Sequence, residues 1–359
     1  MTSTVSEDEL RLLAATCAEI FDAHEDGRPP AGAWDPELWK TLEESGLTLV
    51  SVSEKAGGSG GTLHEAAAVI GAAGEHAVCA PLGETALLGA WLLAEAGLPL
   101  PAGPLTAADG TGALTARRSG DRWELRGRLS RVAWGRQAAG LAVAVLSEDG
   151  EEAVALLNPQ DFAFRPGLNS AGEPRDDLSV DTRPEPDHVA AVPSGTADQL
   201  RLRQALLRTV LIAGAAERAL VLTLRYTAER EQFGRALGSF QAVQQQVAEL
   251  AAEAAAIRAA ADAAVALCEA VGVANERAGF AVAAAKVQAG RGAGLVARIA
   301  HQVHGAIGFT DEHPLRLATT RLWAWRDEAG DEAQWATGIG GRVLAAGTPG
   351  IWELITEAD

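Results

Sequence analysis

The stretch RYTAEREQFGRALGSFQ, residues 225–241, separates two long alanine-rich segments and contains Tyr226, the only tyrosine of the chain. On both sides of it, alanine, leucine and glutamate recur in patterns typical of long helices. The helical pattern stops near Arg230, and Phe233 and Gly234 follow at the place where a short turn is needed. The stretch therefore predicts a tight corner between two antiparallel helices.

The polar and aromatic residues of this corner allow two interpretations. In the first, Phe233 plugs the core of a helix hairpin, Gly234 relieves the backbone, and the polar side chains form a solvated tip. In the second, Arg230, Gln232 and Gln241 gather at one end of a bundle because they bind a ligand there. The first interpretation explains the phenylalanine and the glycine but gives no reason for the polar group.

On either side of the corner, the chain divides into three segments with different sequence patterns. Residues 1–102 read as helices, with a capping-box pattern of Ser6 and Glu9 at the start. Residues 103–195 alternate in short runs broken by Gly-Asp and Asp-Gly, which predicts a small β-barrel or sandwich. Residues 196–359 predict a bundle of long helices. The expected fold class is α+β, mostly α; the bundle helices are expected at 197–229, 238–272, 274–305, 313–328 and 331–345.

Composition excludes several classes of protein. The 359 residues carry a net charge of −18, from 30 basic and 48 acidic residues. Such a field repels phosphate backbones and anionic lipids, so we expect no nucleic-acid partner. No apolar run approaches the roughly 20 residues needed to span a bilayer, so we expect no membrane segment either.

Cysteine usage and the N-terminal residues indicate a cytoplasmic location. Cys17, Cys79 and Cys268 lie far apart and lack the spacing of a metal site, as expected of free thiols in a reducing compartment. His301 and His304 stand at helical i,i+3 spacing without an accompanying carboxylate motif, and we expect no metal. The first residues, MTSTVSEDEL, show no pattern of an export signal.

Two motifs resemble the flavin-binding segments of the acyl-CoA dehydrogenase family. In the first, the family has Tyr, three residues, Arg, any residue, Gln-Phe-Gly, and then a Phe-Gln pair on the next helix. The second is QVHGAIGFTDE, residues 302–312, which is similar to the family pattern Gln-x-x-Gly-Gly-x-Gly-(Phe/Tyr)-Thr-x-Glu. The residues matching the first motif are Tyr226, Arg230, Gln232, Phe233, Gly234, Phe240 and Gln241.

The resemblance implies FAD as cofactor and an acyl-CoA as substrate. In this family the arginine and phenylalanine of the corner reach the ADP half of a neighbouring subunit's FAD. The resemblance therefore also implies a homo- or heterotetramer; the electron acceptor is unknown. The cofactor-binding residues that it assigns here are Arg230, Gln232, Phe233, Gln241, Gln302 and Gly305.

The middle segment departs from the family. Members carry a Thr-Glu-Pro-Gly-Ala-Gly-Ser-Asp-like loop and a Trp-Ile-Thr-Asn-like strand beside the flavin ring. Here GPLTAADGTGALTA (103–116) and LSRVAWGRQAAG (129–140) occupy these regions without a clean match. Trp134 is either a flavin neighbour or a core residue.

The catalytic base is the larger departure. Dehydrogenation of an acyl-CoA needs a carboxylate that takes the α-proton. The family places it either 22 residues before the Tyr or 20 residues after the Phe of the second motif. These positions hold Gln204 and Ala329. Glu328, next to the second position, is the candidate base, and Asp327 and Asp331 are the next candidates. The alternative is that residues 325–335 form a solvated turn between helices.

Two functional hypotheses follow. In the first, the chain is an FAD-dependent dehydrogenase that oxidises a bulky or unusual acyl-CoA between its α and β carbons. In the second, it is a catalytically silent subunit that contributes FAD contacts and stabilises a partner carrying the base. The second hypothesis arises because the short chain and its altered middle segment resemble actinobacterial subunits that pair with a related chain. A purely structural bundle explains neither motif.

Overall fold

A computed structural model describes residues 5–24, 27–120 and 122–356. The chain forms two compact units. The first comprises residues 1–73 and 78–207, and the second comprises residues 74–77 and 208–359.

Short helices open the first unit. The predicted capping box is present, because Ser6 Oγ accepts a hydrogen bond from the Glu9 amide and the Glu9 carboxylate accepts one from the Ser6 amide. A fully buried π-helical turn, Glu84–Gly89, leads into the last helix of this part. The helices are α1 (Glu7–Asp22), α2 (Pro36–Glu44), α3 (Leu63–Glu75), whose last two residues belong to the second unit, and α4 (Ala90–Glu95).

The middle of the chain forms β-strands, as the alternating pattern predicts. A Gly or Asp at most strand ends supplies the turn. The strands are β1 (Leu105–Asp109), β2 (Leu114–Ser119), β3 (Arg122–Ala133), β4 (Gly140–Leu146), β5 (Glu152–Leu157), β6 (Phe162–Arg165), β7 (Arg175–Thr182) and β8 (Val189–Ala191).

These strands build two four-stranded sheets. One has the order β1-β4-β5-β8, with β1 and β4 parallel, and the other has the antiparallel order β2-β3-β7-β6. Apolar side chains of both sheets share one buried cluster, which includes Trp123, Leu125, Val143 and Leu157. The middle segment is therefore a small β-sandwich.

The second unit is a helical bundle. Helix α7 is buried along most of its length and packs against α6, α8 and α9. The elements are α5 (Thr196–Glu229), β9 (Glu231–Gln232), β10 (Arg235–Ala236), α6 (Gln241–Val271), α7 (Glu276–His304), α8 (Leu315–Arg326) and α9 (Glu332–Thr356). The bundle contains the greater part of α5.

This architecture confirms the predicted fold class. Helix gives way to strand between α4 and β1, and strand gives way to helix between β8 and α5. The division into domains at 102/103 and 195/196 stays a prediction. Phe240 occupies the N-cap position of α6, and the neighbouring Ser239 hydroxyl donates to the Ala236 carbonyl.

Candidate functional site

The corner between α5 and α6 is a two-residue β-hairpin. Strands β9 and β10 pair with Gln232 opposite Arg235, and the loop between them consists of Phe233 and Gly234. Their φ angles are 54° and 76°, the combination of two positive angles that a type I′ turn requires. The Leu237 amide donates to the Arg230 carbonyl and closes the base of the hairpin.

Phe233 projects from the tip of this hairpin. Its exposed fraction is 93%, so the interpretation that it plugs the bundle core is wrong. Its left-handed backbone conformation is rarely adopted by a residue with a side chain and costs on the order of 1 kcal/mol. Because the side chain is so exposed, it buries little apolar surface to offset this cost. Strained and exposed residues of this kind are typical of sites that contact another molecule.

The corner carries two exposed cations, Arg230 and Arg235. Within the described residues, no ion pair is found for either side chain. The guanidinium carbon of Arg235 lies 4.0 Å from the centre of the Phe240 ring, and Phe233 meets the same ring edge-on at 6.1 Å. The hairpin therefore offers uncompensated positive charge beside an exposed aromatic ring.

The second motif forms the C-terminal end of α7. Helix α7 ends at His304, and Gly305 follows with a φ of 66°, where its amide donates to the His301 carbonyl. A 3-10 turn, Gly305–Phe309, leads away from the helix. Gln302 and Gly305 are exposed, as a surface that meets a ligand requires.

A ring contact brings the two motifs together. Tyr226, one helical turn before Arg230, stacks on His304 with the ring centres 4.5 Å apart. The corner and the end of α7 therefore lie at the same end of the bundle. All six residues assigned to the cofactor are gathered there, and their role in binding stays a prediction.

Histidines support this end of the bundle. His301 is sandwiched between Phe309 at 3.9 Å and Trp323 at 5.4 Å, and its Nε2 lies 2.9 Å from the Thr319 hydroxyl. Burial lowers the pKa of His301 and of His304 below the ordinary histidine value. Neutral rings thus act as flat packing units beneath the exposed residues of the second motif.

The two positions where the family carries its base hold no carboxylate. Gln204 is a half-buried amide on α5. Ala329 lies in the turn between α8 and α9 with a φ of 56°, and its carbonyl accepts a hydrogen bond of 2.8 Å from the Trp335 indole. Neither residue is able to accept a proton from an α-carbon.

Glu328 is not a solvated turn residue. Its carboxylate lies 2.7 Å from Arg208 Nε, and the two side chains are 11% and 7% exposed. An ionised carboxylate at this depth is stable because the guanidinium compensates its charge. Protonation would remove that compensation from a buried pair, which opposes the use of Glu328 as a general base.

Lys286 forms hydrogen bonds with the backbone of the same turn. It is fully buried on α7, and its ammonium donates to the carbonyls of Arg326 and Gly330 at 2.7 and 2.8 Å. Burial, followed by the nearby charge of Arg208, lowers the pKa of Lys286 to about 8. Sequence patterns gave no indication of Arg208 or Lys286, because a basic residue within a helix is usually exposed.

In the first unit, the segments that replace the flavin-flanking motifs are satisfied within the chain. Trp134 is only 3% exposed, which identifies it as a core residue. Asp176 is fully buried and accepts hydrogen bonds from the Arg136 guanidinium and from the Arg136 and Gly167 amides. In the turn after β1, the Asp109 carboxylate accepts from the amide and the hydroxyl of Thr111.

Two kinds of feature are absent from residues 5–24, 27–120 and 122–356. Over those ranges, no cluster of three or more histidine, cysteine or acidic side chains is arranged to hold a metal ion. Likewise, none of the helices described is both long and apolar enough to cross a bilayer.

Comparisons with known proteins agree with the motifs. Residues 202–329 match the family model "Acyl-CoA dehydrogenase, C-terminal domain". Acyl-CoA dehydrogenase IpdE2 of Mycobacterium tuberculosis is 30% identical over 318 residues, which cover 86% of this chain and 89% of the relative.

Solved structures give the same result over nearly the whole chain. The crystal structure of the ChsE4-ChsE5 complex from Mycobacterium tuberculosis contains a chain with a TM-score of 0.85 and 27% identity, covering 97% of this chain and 100% of that one. The structure described as the Tcur3481-Tcur3483 steroid ACAD G363A variant has a TM-score of 0.84 and 25% identity, covering 94% and 98%.

Proposed function

The chain belongs to the acyl-CoA dehydrogenase family, and from that premise we propose that it is one subunit of an FAD-dependent assembly that oxidises an acyl-CoA thioester. The reaction introduces a double bond between the α and β carbons of the acyl group. The observation that carries the proposal is a contrast in charge. Among the described residues, the arginines of the corner form no ion pair, whereas the carboxylate of Glu328, the candidate base, is paired with Arg208.

FAD fits the corner chemically. The pyrophosphate needs hydrogen-bond donors and positive charge, and the planar guanidinium of Arg230 supplies both. Adenine has a flat face, and the exposed ring of Phe233 is available to meet it. Gln232, Gln241 and Gln302 add amide donors and acceptors, and Gly305 leaves the backbone open. The bound flavin accepts the hydride that leaves the β-carbon.

The proton from the α-carbon is taken by a partner subunit. Gln204 and Ala329 stand at the positions of the base, and Arg208 holds Glu328 in a buried ion pair. The chain then binds cofactor and shapes the assembly without abstracting the proton. Two similar structures support this arrangement, because each is described with two names, ChsE4-ChsE5 and Tcur3481-Tcur3483.

The proposed substrate is a CoA thioester of a bulky acyl group. This part of the proposal draws on the steroid activity named for one similar structure.

The second candidate is a self-sufficient enzyme that uses Glu328. One observation favours it: Glu328 is a nearly buried carboxylate in the same turn as Ala329, which stands at the family's base position. In that case Arg208 would orient the base rather than compensate it.

Flavin spectra and reduction rates separate the two candidates. The chain is purified alone and after co-expression with a related acyl-CoA dehydrogenase subunit, and each sample is mixed anaerobically with a steroid-type acyl-CoA. We expect flavin absorption and rapid bleaching only in the co-expressed complex. Rapid bleaching by the chain alone would favour the second candidate, and a colourless complex that ignores added FAD would contradict both.

A further inference from the structure

Arg235 lies outside the matched family motif, yet the hairpin places it directly opposite Gln232. In the two-stranded ladder, residues opposite each other project their side chains from the same face. The neighbouring pair, Glu231 and Ala236, projects from the other face because side chains alternate along a strand. Arg235 therefore shares a face with an assigned cofactor residue, and the nearest acidic residue of the hairpin does not.

The Arg235 guanidinium is held in place before any ligand arrives. It stacks 4.0 Å above the Phe240 ring, whose edge contacts Phe233. Stacking restrains the long side chain while leaving its N–H groups free to donate. A ligand that binds such a group loses less side-chain entropy than one that binds a free arginine.

The corner places two exposed arginines close together in an acidic protein. Acidic residues outnumber basic ones by 48 to 30, and most exposed arginines of the first unit have a carboxylate beside them, as Arg117 does with Glu148 at 2.7 Å. Arg230 and Arg235 lie five residues apart at one corner, and in the part of the chain that the structure describes neither forms an ion pair. An acidic protein that keeps two arginines uncompensated at one exposed hairpin is arranged to attract an anion.

We propose that Arg235 is a second anion-binding residue of this corner, which contacts the pyrophosphate of FAD together with Arg230. A pyrophosphate has two negatively charged phosphate groups, and one guanidinium meets only one of them in a bidentate pair. The inference rests on the proposed function, since it names a further residue for the same cofactor. Arg235 acts on binding alone and touches no reacting atom.

The test measures FAD affinity rather than turnover. The co-expressed complex is stripped of flavin, and FAD is titrated back by equilibrium dialysis for the wild type, Arg235→Gln, Arg235→Lys and a control, Arg201→Gln. Arg201 is an exposed arginine near the start of α5 in the first unit, 29 residues before Arg230, so its variant makes the same charge change outside the corner.

We expect Arg235→Gln to weaken FAD binding about tenfold, by loss of a charge-assisted contact. Arg235→Lys should recover part of the affinity, because a lysine keeps the charge but not the fork. ADP, which contains the pyrophosphate, should lose affinity by the same factor as FAD, and riboflavin should not. The control should bind FAD like the wild type.

Two outcomes overturn the inference. If Arg235→Gln binds FAD and ADP like the wild type while its thermal midpoint falls, the stack on Phe240 serves packing only. If Arg201→Gln weakens FAD as much as Arg235→Gln, the effect is one of net charge and not of a site. A wild-type complex that never binds FAD would instead overturn the proposed function, and this inference with it.

Discussion

The corner at 230–241 and the turn at 326–331 both join helices of the bundle, and they treat their polar groups in opposite ways. The corner is exposed and strained at Phe233, and its arginines form no ion pair with any residue that the structure describes. The turn is nearly closed to solvent at Glu328, whose charge is paired, and three of its carbonyls accept side-chain hydrogen bonds.

This difference indicates which of the two segments has polar groups available to bind a ligand. Polar groups that are satisfied within the chain add to its stability and are costly to rearrange. Groups left unsatisfied on the surface add nothing until a partner arrives. Under the proposed function, the corner is therefore the cofactor-binding surface, and the turn is a structural element at the position where the family carries its base.

The largest expected effect comes from breaking the pair at the turn. Arg208→Met removes the guanidinium that pairs with the buried Glu328 carboxylate and should lower the free energy of unfolding by about 3–5 kcal/mol. Denaturant titration of the complex measures this loss. The double variant Arg208→Met/Glu328→Met should recover most of it, because two apolar side chains of similar volume replace the pair. A single variant as stable as the wild type would show that the turn does not depend on the pair.

The second prediction concerns the hydrogen bonds that Lys286 donates to the turn. Lys286→Met fills the same space but leaves the carbonyls of Arg326 and Gly330 without their donor, so unfolding should become easier by about 2–4 kcal/mol. Lys40→Met, at an exposed lysine of α2, is the matched control and should change stability by less than about 0.5 kcal/mol.

The same lysine should give the stability a distinct pH dependence. Its folded-state pKa of about 8 lies below the unfolded value of about 10.4, so the unfolded chain binds more protons between these pH values. The contribution of Lys286 to the free energy of unfolding should therefore rise with pH across this window. Denaturant titrations at several pH values should show the rise in the wild type and not in Lys286→Met. An identical pH profile in both would contradict the assignment.

Secondary-structure elements and motifs were more predictable from the sequence than the contacts between distant side chains were. The bundle helices follow from a period that any amphipathic helix must show, and the corner follows from the break in that period at Phe233–Gly234. The pairing of Glu328 with Arg208 joins positions 120 residues apart. No local pattern encodes such a contact, so the sequence left open whether Glu328 was a base or a solvated residue.

The corner shows a second limit of sequence reasoning. Its residues were identified by resemblance, but the exposure of Phe233 and the stacking of Arg235 on Phe240 depend on the I′ hairpin. A phenylalanine next to a glycine is more often buried, and a positive φ at Phe233 has no signature in its residue type. The assignment of a ligand role therefore needed the backbone conformation.

The fourth prediction tests the corner by removing the side chain of one of its arginines. Arg230→Ala should weaken FAD binding about tenfold to a hundredfold by removing a charge-assisted contact. It should leave the stability of the flavin-free complex within about 0.5 kcal/mol, because the side chain is exposed. Equilibrium dialysis and denaturant titration supply the two measurements. Loss of stability with unchanged FAD binding would mean that the corner and the turn are alike after all.

The smallest expected effect is on the rate of flavin reduction after Glu328→Gln. If a partner supplies the base, this variant of the complex should be reduced by acyl-CoA at a rate within about threefold of the wild type, normalised to bound FAD and measured well below its unfolding temperature. If Glu328 were the base, the rate should fall by about 10²–10⁴-fold, the usual contribution of general-base catalysis. Asp327→Asn, an exposed neighbour in the same turn, is the matched control and should change the rate by no more than Glu328→Gln does. Anaerobic stopped-flow bleaching distinguishes the two ranges. A large loss confined to Glu328→Gln would return the base to this chain, and Arg208 would then be the residue that orients it.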